Sequence, residues 1–165
     1  MKENSSIKEQ VLHPEPKVKA AAQAVAREVV EEKADNCAEE LDERICTALR
    51  AANDKKALET VVLDLREVAS FTDYFIITSG TNVRQVQAIA DDVVEQLKRQ
   101  GTRAARVEGY NTAEWVLVDY GDFIVHVFED KARRFYDLER LWRDAKRVPL
   151  PADVAGPDSS LRSEQ

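Results

Sequence analysis

Few side chains in this chain of 165 residues could carry out bond chemistry, and they are scattered along the sequence. It contains two histidines, His13 and His126, and two cysteines, Cys37 and Cys46. No histidine lies near either cysteine in the sequence, so a cysteine–histidine nucleophile has only weak support. The sequence also lacks the common zinc-protease, redox-cysteine, P-loop and serine-hydrolase motifs. These observations predict a protein that is not an enzyme and holds neither a metal nor another cofactor.

The cysteines and the chain's start bear on the cellular compartment. Cys37 and Cys46 are too few for a disulfide scaffold. They lie roughly on opposite sides of one predicted helix, so we expect a bridge between them to be poor. No apolar run approaches the roughly 18 residues that a membrane helix needs. Residues 1–16 lack the apolar stretch of a secretory signal, and their acidic groups argue against a transit peptide. We therefore expect a cytoplasmic protein.

One turn offers a place for a phosphate group. Ser79-Gly80 ends a predicted strand and opens a predicted helix, and a helix N-terminus can bind an anion. Nucleotidyltransferases have a similar turn, but they also need two carboxylates on an adjoining strand to hold two metal ions. The strand that follows the helix here, residues 103–108, offers Glu108 alone. The turn is therefore either a plain helix cap or a nucleotide site without a visible pair of metal-binding carboxylates.

Hydrophobic periodicity predicts the elements that position these residues. Helices are predicted over 17–34, 37–53, 82–100 and 135–145, and strands over 60–65, 74–78, 103–108, 115–120 and 123–128. A strand–helix–strand order needs a parallel crossover, whereas a hairpin needs antiparallel pairing. We predict an α/β fold, a mixed five-stranded sheet with packed helices, over 36–147. A partly helical N-terminal extension (1–35) precedes it, and a flexible tail (148–165) follows.

A predicted hairpin carries the most informative alternation. Gly121-Asp122 suits a two-residue type II′ turn. In that register one face is entirely apolar and should pack against helices: Val116, Val118, Tyr120, Phe123, Val125 and Val127. The other face mixes aromatic side chains with an acid and an imidazole: Trp115, Leu117, Asp119, Ile124, His126 and Phe128.

This second face has two interpretations. Either another helix covers it and His126 is a satisfied core histidine, or it is open and binds a protein. Aromatic side chains ringed by polar groups are typical interface anchors. A metal site is disfavoured, because no second histidine or cysteine is placed to help His126.

Charge is unevenly distributed around the hairpin, although the whole chain has a net charge of −7. Residues 108–130 contain acidic groups and no lysine or arginine, whereas residues 131–147 are rich in both. An acidic segment beside a basic helix favours a protein partner over a bare phosphate backbone. The alternative is that most of these groups are solvated surface charges.

A series of short motifs runs through residues 40–145. They are Ser70-Phe-Thr-Asp-Tyr-Phe75, Ser79-Gly-Thr81, Arg84-Gln-Val86, Val107-Glu-Gly109, Trp115, Asp119-Tyr-Gly-Asp122, Val125-His-Val-Phe128, and Phe135-Tyr-Asp-Leu-Glu139 with Leu141-Trp142. In this order they resemble the ribosomal silencing factor, or Iojap-like, family. Residues 1–35 and the chain beyond Leu150 lie outside the resemblance.

The resemblance implies a nucleotidyltransferase-like α/β fold without the transferase site, which agrees with the missing carboxylate pair. It implies binding to the large ribosomal subunit, on ribosomal protein fourteen at the subunit-joining face. The bound factor would block the small subunit and so repress translation when nutrients are scarce. The resemblance also implies that a homodimer can form off the ribosome.

The second face of the hairpin then supplies the predicted contacts. The predicted anchors are Trp115, Leu117, His126 and Phe128, with Asp119 as a polar partner and Tyr110 as a weaker candidate. Three further side chains are either contacts to protein or ribosomal RNA or solvated surface: Arg133, Arg134 and Tyr136. Two rival functions stay open. One is a nucleotidyltransferase or nucleotide-binding protein that uses Ser79-Gly80, and the other is a large-subunit assembly factor.

Overall fold

A six-stranded mixed sheet with helices packed on it forms the part of the chain that the computed structural model describes, residues 37–155. The elements are α1 (Glu43–Asp54), β1 (Leu58–Asp64), β2 (Tyr74–Gly80), α2 (Val83–Arg99), β3 (Arg106–Glu108), β4 (Trp115–Asp119), β5 (Phe123–Glu129), α3 (Asp130–Tyr136), α4 (Leu138–Leu141), β6 (Lys146–Val148) and α5 (Ala152–Ala155). The helix predicted over 17–34 lies outside the described residues.

The strands lie in the order β3-β4-β5-β2-β1-β6. β2 and β5 pair in parallel, with Ile77 opposite His126, and the other neighbours pair antiparallel. The chain reaches β5 from β2 through α2 and the β3–β4 pair, so the predicted crossover and mixed sheet are confirmed. The sheet has one strand more than predicted, because β6 adds an edge beside β1.

The β4–β5 hairpin has the predicted register, with Trp115 opposite Phe128 and Leu117 opposite His126. Gly121 has φ 87°, a backbone conformation that glycine adopts without steric cost. The turn closes through the amide of Tyr120, which donates to the carbonyl of Phe123 at 3.0 Å. The turn residues and the alternation of side chains along each strand therefore predicted correctly which side chains share a face.

The entirely apolar face of the hairpin packs against α1 and α2, as predicted. α2 begins at its N-cap Asn82, whose side chain accepts from the amide of Gln85 at 2.9 Å. Its apolar stripe is fully buried: Val86, Ile89, Ala90, Val93 and Leu97. Each large apolar side chain buried this way contributes roughly 1.5–3 kcal/mol, so the stripe stabilises the packing of α2 on the sheet.

The helix predicted over 37–53 is interrupted, and this changes the position of the cysteines. Asp42 caps α1, because its side chain accepts from the amide of Arg44 at 2.7 Å. The turn that contains Cys37 is therefore separate from α1. Cys37 and Cys46 form a disulfide, with their Cα atoms 6.1 Å apart. The expectation of poor bridging was wrong, because it assumed one continuous helix.

The prediction of one continuous helix from Phe135 to Ala145 was also wrong. Asp137 has φ 50° and separates α3 from the short α4, after which the chain turns into β6.

Part of the segment predicted as a flexible tail is ordered. It contains α5, in which Val154 is buried in the core beside α1. Residues 156–165 lie outside the described part of the chain. Within that part no helix is long and apolar enough to cross a membrane.

Candidate protein-binding surface

The second face of the sheet carries a cluster of aromatic side chains that α3 and α4 cover only in part. We call it the aromatic cluster; its members are Phe71, Phe75, Trp115, His126, Phe128, Tyr136 and Trp142. Trp115 stacks on Phe128 with ring centroids 4.9 Å apart, and the rings of Phe75 and His126 form a T-shaped pair with centroids 4.4 Å apart. Such stacked and edge-on pairs stabilise the cluster by about 0.5–1.5 kcal/mol each beyond their buried area.

His126 lies at the centre of this cluster and is 3% exposed. The indole N–H of Trp115 donates to its Nδ1 at 3.0 Å, which assigns the imidazole proton to Nε2. Burial lowers the pKa of His126 to about 3, because the charged form would lose its hydration. The ring is therefore neutral near pH 7. Its Nε2 has no hydrogen-bond partner among the described residues.

The residues predicted as contact anchors lie at different depths. Phe128 and His126 are buried, so in this conformation they support the surface from beneath. Trp115, Leu117 and Asp119 are half-buried and line up on one side of β4, where they reach the surface. The structure thus brings these five together, as the predicted register requires.

Tyr110 does not join them. It lies beside α2, which packs on the opposite face of the sheet, and its hydroxyl donates to a carboxylate oxygen of Asp91 at 3.1 Å. Since β4 and β5 separate Tyr110 from the aromatic cluster, one partner surface would not readily cover both.

The most exposed apolar side chains on this side of the molecule were not among the predicted contact residues. The exposed fraction is 81% for Phe135, 74% for Leu141 and 58% for Phe71. Tyr136, a predicted contact, is also exposed, and its ring lies 4.9 Å from that of Trp115. We call these four residues the apolar rim. Phe135 and Leu141 lie in the one helix predicted over 135–145, and the break at Asp137 places them on two separate helices.

Arg133 was predicted as either a surface contact or a solvated residue, and neither is correct. It is 6% exposed. Its Nε and Nη2 donate to the two carboxylate oxygens of Glu139 at 3.2 and 3.0 Å, and its Nη1 donates to Ser79 Oγ at 3.1 Å. This ion pair between a buried arginine and a half-buried glutamate fastens α3 and α4 to the end of β2. Arg134 is exposed and pairs with Asp130.

The Ser79-Gly80 turn is occupied by the protein itself. The side-chain oxygen of Gln85 accepts from the amide of Thr81 at 2.7 Å and from its hydroxyl at 3.0 Å. A Cβ atom on Gly80 would lie 3.2 Å from the Gln85 side chain, so little space is left there. This geometry favours the plain helix cap. Within 37–155, no three histidine, cysteine or acidic residues are grouped closely enough to hold a metal ion.

A family model described as "Ribosomal silencing factor during starvation" matches residues 38–165. The chain belongs to this family. A relative from Halalkalibacterium halodurans named ribosomal silencing factor RsfS is 43% identical over 108 residues, which cover 66% of this chain and 92% of the relative. A crystal structure of a protein from Chromobacterium violaceum is 36% identical, with a TM-score of 0.61, and the match covers 68% of this chain and 92% of that one.

A more distant relative carries a different name. A mouse protein named "Mitochondrial assembly of ribosomal large subunit protein 1" is 31% identical over 91 residues, which cover 53% of this chain and 40% of the mouse protein. The family is named for a regulatory role and not for a catalysed reaction. The ribosomal silencing factor match covers all of the aromatic cluster and the apolar rim.

Proposed function

We propose that this protein binds the large ribosomal subunit through ribosomal protein fourteen and blocks joining of the small subunit, which represses translation when nutrients are scarce. Membership in the ribosomal silencing factor family supports the silencing role. The observation that carries the proposed site is the apolar rim around a half-covered aromatic cluster, because several exposed apolar side chains on one side of a folded protein are typical of an interaction site, whereas single ones are not.

The contact surface in this proposal has two parts. Trp115, Leu117 and Asp119 form the part on β4, and the apolar rim forms the part on α3, α4 and the loop before β2. His126 and Phe128 hold the first part in place from beneath. An aromatic centre with a partly polar border is typical of protein interfaces in which a few side chains contribute most of the affinity.

Steric exclusion is the proposed mechanism, and it needs no chemical step. An ordinary interface of about 800 Å² per partner would hold the factor on the large subunit. If the bound factor overlaps the position of the small subunit, the two binding events exclude each other. Ribosomal proteins are generally basic, so the acidic segment 108–130 would steer the encounter.

The proposed function also predicts the compartment of the protein and its further partners. Binding to cytoplasmic ribosomes requires a cytoplasmic protein. Arg134 and the neighbouring basic residues could touch ribosomal RNA at the border of the interface, whereas the buried Arg133 could not. A homodimer is expected when the protein is off the ribosome.

Sedimentation with purified subunits tests the proposed function directly. The protein should sediment with large subunits and not with small ones, and an excess of it should reduce the joining of the two. Subunits that join equally well in an excess of the protein would refute the silencing mechanism. Binding to large subunits without any effect on joining would instead favour an assembly role, which the name of the mouse relative supports.

A nucleotide-binding role is the other alternative. It predicts that a nucleoside triphosphate with Mg²⁺ raises the melting temperature. We expect no such shift, because the side-chain oxygen of Gln85 already accepts a hydrogen bond from the Thr81 amide in this turn. A clear, magnesium-dependent rise would reopen the enzyme interpretation.

A further inference from the structure

α3 reverses the usual arrangement of a surface helix. Its only buried residue is Arg133, whereas its last two residues, Phe135 and Tyr136, are exposed. A surface helix normally buries its apolar side chains and exposes its charged ones. α3 has seven residues and α4 has four, and helices this short are not stable without tertiary contacts. The position of α3 therefore depends strongly on the groups that hold Arg133.

Three other elements hold the guanidinium of Arg133. Its Nε and Nη2 donate to the carboxylate of Glu139, which lies on α4. Its Nη1 donates to Ser79 Oγ in β2 at 3.1 Å and to the carbonyl of Leu58 in β1 at 3.3 Å. The planar guanidinium directs its N–H groups at fixed angles, so one arginine can link several acceptors in a defined geometry. Arg133 thus connects α3 to α4 and to the ends of two strands.

The backbone of β1 is irregular at this point. The pairing of β1 with β2 shifts register just after Leu58, and Glu59 has φ 54°. A left-handed backbone is uncommon at a residue other than glycine and persists only where the surrounding structure enforces it. The Leu58 carbonyl also accepts from the hydroxyls of Thr78 at 3.1 Å and Ser79 at 3.2 Å. The carbonyl that receives Arg133 is therefore fixed by three donors at a bulge.

This network explains the Ser79-Gly80 turn, which the proposed function leaves without a role. Ser79 is fully buried, and its hydroxyl donates to Leu58 and accepts from Arg133. The space beside Gly80 is filled by the Gln85 side chain. The turn is thus an anchor for α3 within the chain itself.

α3 also joins the two parts of the proposed contact surface. The ring of Tyr136, at the end of α3, lies 4.9 Å from that of Trp115 on β4. Leu141 lies on α4, the helix that carries Glu139. If Arg133 lost its partners, both helices would be free to shift relative to Trp115. The apolar rim and the part on β4 would then no longer keep one fixed arrangement.

We propose that Arg133 is the positioning residue of the partner-binding surface, and that Ser79 and Glu139 hold it in place. Arg133 is 6% exposed and does not touch the partner. It keeps α3 and α4 where the apolar rim and the part on β4 meet one partner protein together. The proposal rests on the proposed function, because it assumes that this surface binds the large subunit.

Arg133→Met tests the proposal, because it removes the hydrogen bonds and keeps an apolar side chain of similar length. It should weaken sedimentation with large subunits by about tenfold or more, since a surface that is not pre-organised loses more entropy on binding. Arg99→Met is the matched control. It removes an exposed ion pair with Glu95 on α2, at 3.2 Å, and should leave the affinity unchanged.

A combined variant separates positioning from a general loss of stability. In a double Phe135→Ser, Leu141→Ser background the apolar rim is already damaged, so α3 and α4 have little left to present. Adding Arg133→Met to this background should lower the affinity by no more than about twofold, because residues that act through one another are not additive. A further full tenfold loss would show that Arg133 acts by another route and would overturn the proposal.

The fluorescence of Trp115 gives a readout that needs no ribosome. With Trp142→Phe as the background, the emission comes from Trp115 alone, since the chain has two tryptophans. Arg133→Met should shift this emission to longer wavelength, because the ring of Tyr136 moves away and water reaches the indole. Arg99→Met should not shift it.

Circular dichroism checks that each variant is folded. If Arg133→Met does not fold, Ser79→Ala decides instead, since it removes one acceptor and should weaken binding by about threefold or more. A folded Arg133→Met chain with unchanged affinity and unchanged Trp115 emission overturns the proposal. If the unmodified protein does not bind large subunits, the proposed function fails, and the Trp115 emission still decides whether Arg133 positions α3.

Discussion

The indole nitrogen of Trp115 donates a hydrogen bond to Nδ1 of His126 at 3.0 Å, on the face of the hairpin where the two side chains are diagonal neighbours. This bond fixes both the tautomer of a buried imidazole and the orientation of a half-buried indole. The exposed part of the Trp115 ring is thus held in place by a residue that solvent barely reaches. Any partner that uses Trp115 meets a pre-oriented side chain, which lowers the entropy lost on binding.

Replacing Trp115 by phenylalanine removes this hydrogen bond but keeps an aromatic ring at the position. It therefore tests the contribution of the bond apart from that of ring packing. The free energy of unfolding should fall by about 1–2 kcal/mol more than for Trp142→Phe, because Nδ1 of His126 loses its donor. Trp142 is the matched control, since it is also half-buried in the aromatic cluster but makes no side-chain hydrogen bond within the described residues. Urea denaturation measures both variants. Equal losses would show that the hydrogen bond contributes nothing measurable.

The buried imidazole should make stability depend on pH. The pKa of His126 in the folded protein, about 3, lies below its ordinary value of 6.5. The unfolded chain therefore binds the proton first, so this contribution is fully present above about pH 6.5 and is lost as the pH falls towards 3. Between pH 7 and pH 5 the free energy of unfolding should fall by about 2 kcal/mol from this group alone.

His126→Gln should remove that part of the pH dependence, as measured by urea denaturation at the two pH values. His13→Gln, at the only other histidine, is the control and should leave the dependence as in the unmodified protein. A His126→Gln chain with an unchanged pH slope would contradict the prediction.

The ion pair of the buried Arg133 with the half-buried Glu139 should be costly to break. Glu139→Gln leaves the guanidinium without its carboxylate, so the free energy of unfolding should fall by about 2–3 kcal/mol. Asp130→Asn removes the partner of the exposed Arg134 and should cost less than about 1 kcal/mol. Chemical denaturation compares the two. Similar small losses would mean that Arg133 is held mainly by Ser79 and the backbone.

The apolar rim should matter for partner binding more than for folding. Phe135→Ser and Leu141→Ser should each weaken sedimentation with large subunits by about tenfold or more. Their melting temperatures should stay within a few degrees of the unmodified protein, because both side chains are exposed. Val83→Ser, which changes an exposed apolar residue on α2, is the control. Unchanged binding in both rim variants would remove α3 and α4 from the proposed contact surface.

The disulfide between Cys37 and Cys46 should stabilise the oxidised protein. Closing a loop of this length gives roughly 2–3 kcal/mol by the chain-entropy estimate. Reduction by dithiothreitol should therefore lower the melting temperature, and a double Cys37→Ser, Cys46→Ser variant should not respond to the reductant. Mass spectrometry under non-reducing conditions checks the bridge. If dithiothreitol leaves the melting temperature of the unmodified protein unchanged, the prediction is contradicted.

Local patterns were sufficient for much of the fold. The Gly121-Asp122 turn and the alternation around it predicted the hairpin register, because the side-chain period of a strand is two and the turn length sets the pairing. Hydrophobic periodicity over 82–100 predicted α2 in the same way. Both rest on interactions within a few residues of one another, which the order of residues reveals directly.

The helix breaks were harder to predict, because at each one a single residue interrupts the helix while the helical spacing of apolar residues continues past it. Asp42 caps α1 with its own side chain and separates it from the turn containing Cys37. Asp137 adopts a left-handed conformation between α3 and α4. An aspartate is compatible with a helix, a cap or a turn, and its surroundings decide among these.

Strand alternation was enough to predict which side chains share a face, and the ordered motifs resembled the family to which the chain belongs. Which of those side chains reach solvent depends instead on the packing of the whole fold. Phe128 and Trp115 lie directly across the hairpin on one face, yet one is buried and the other half-buried. The reason is physical. Alternation is a property of the local backbone, whereas burial depends on which distant segments pack above a residue, and a one-dimensional pattern does not specify that.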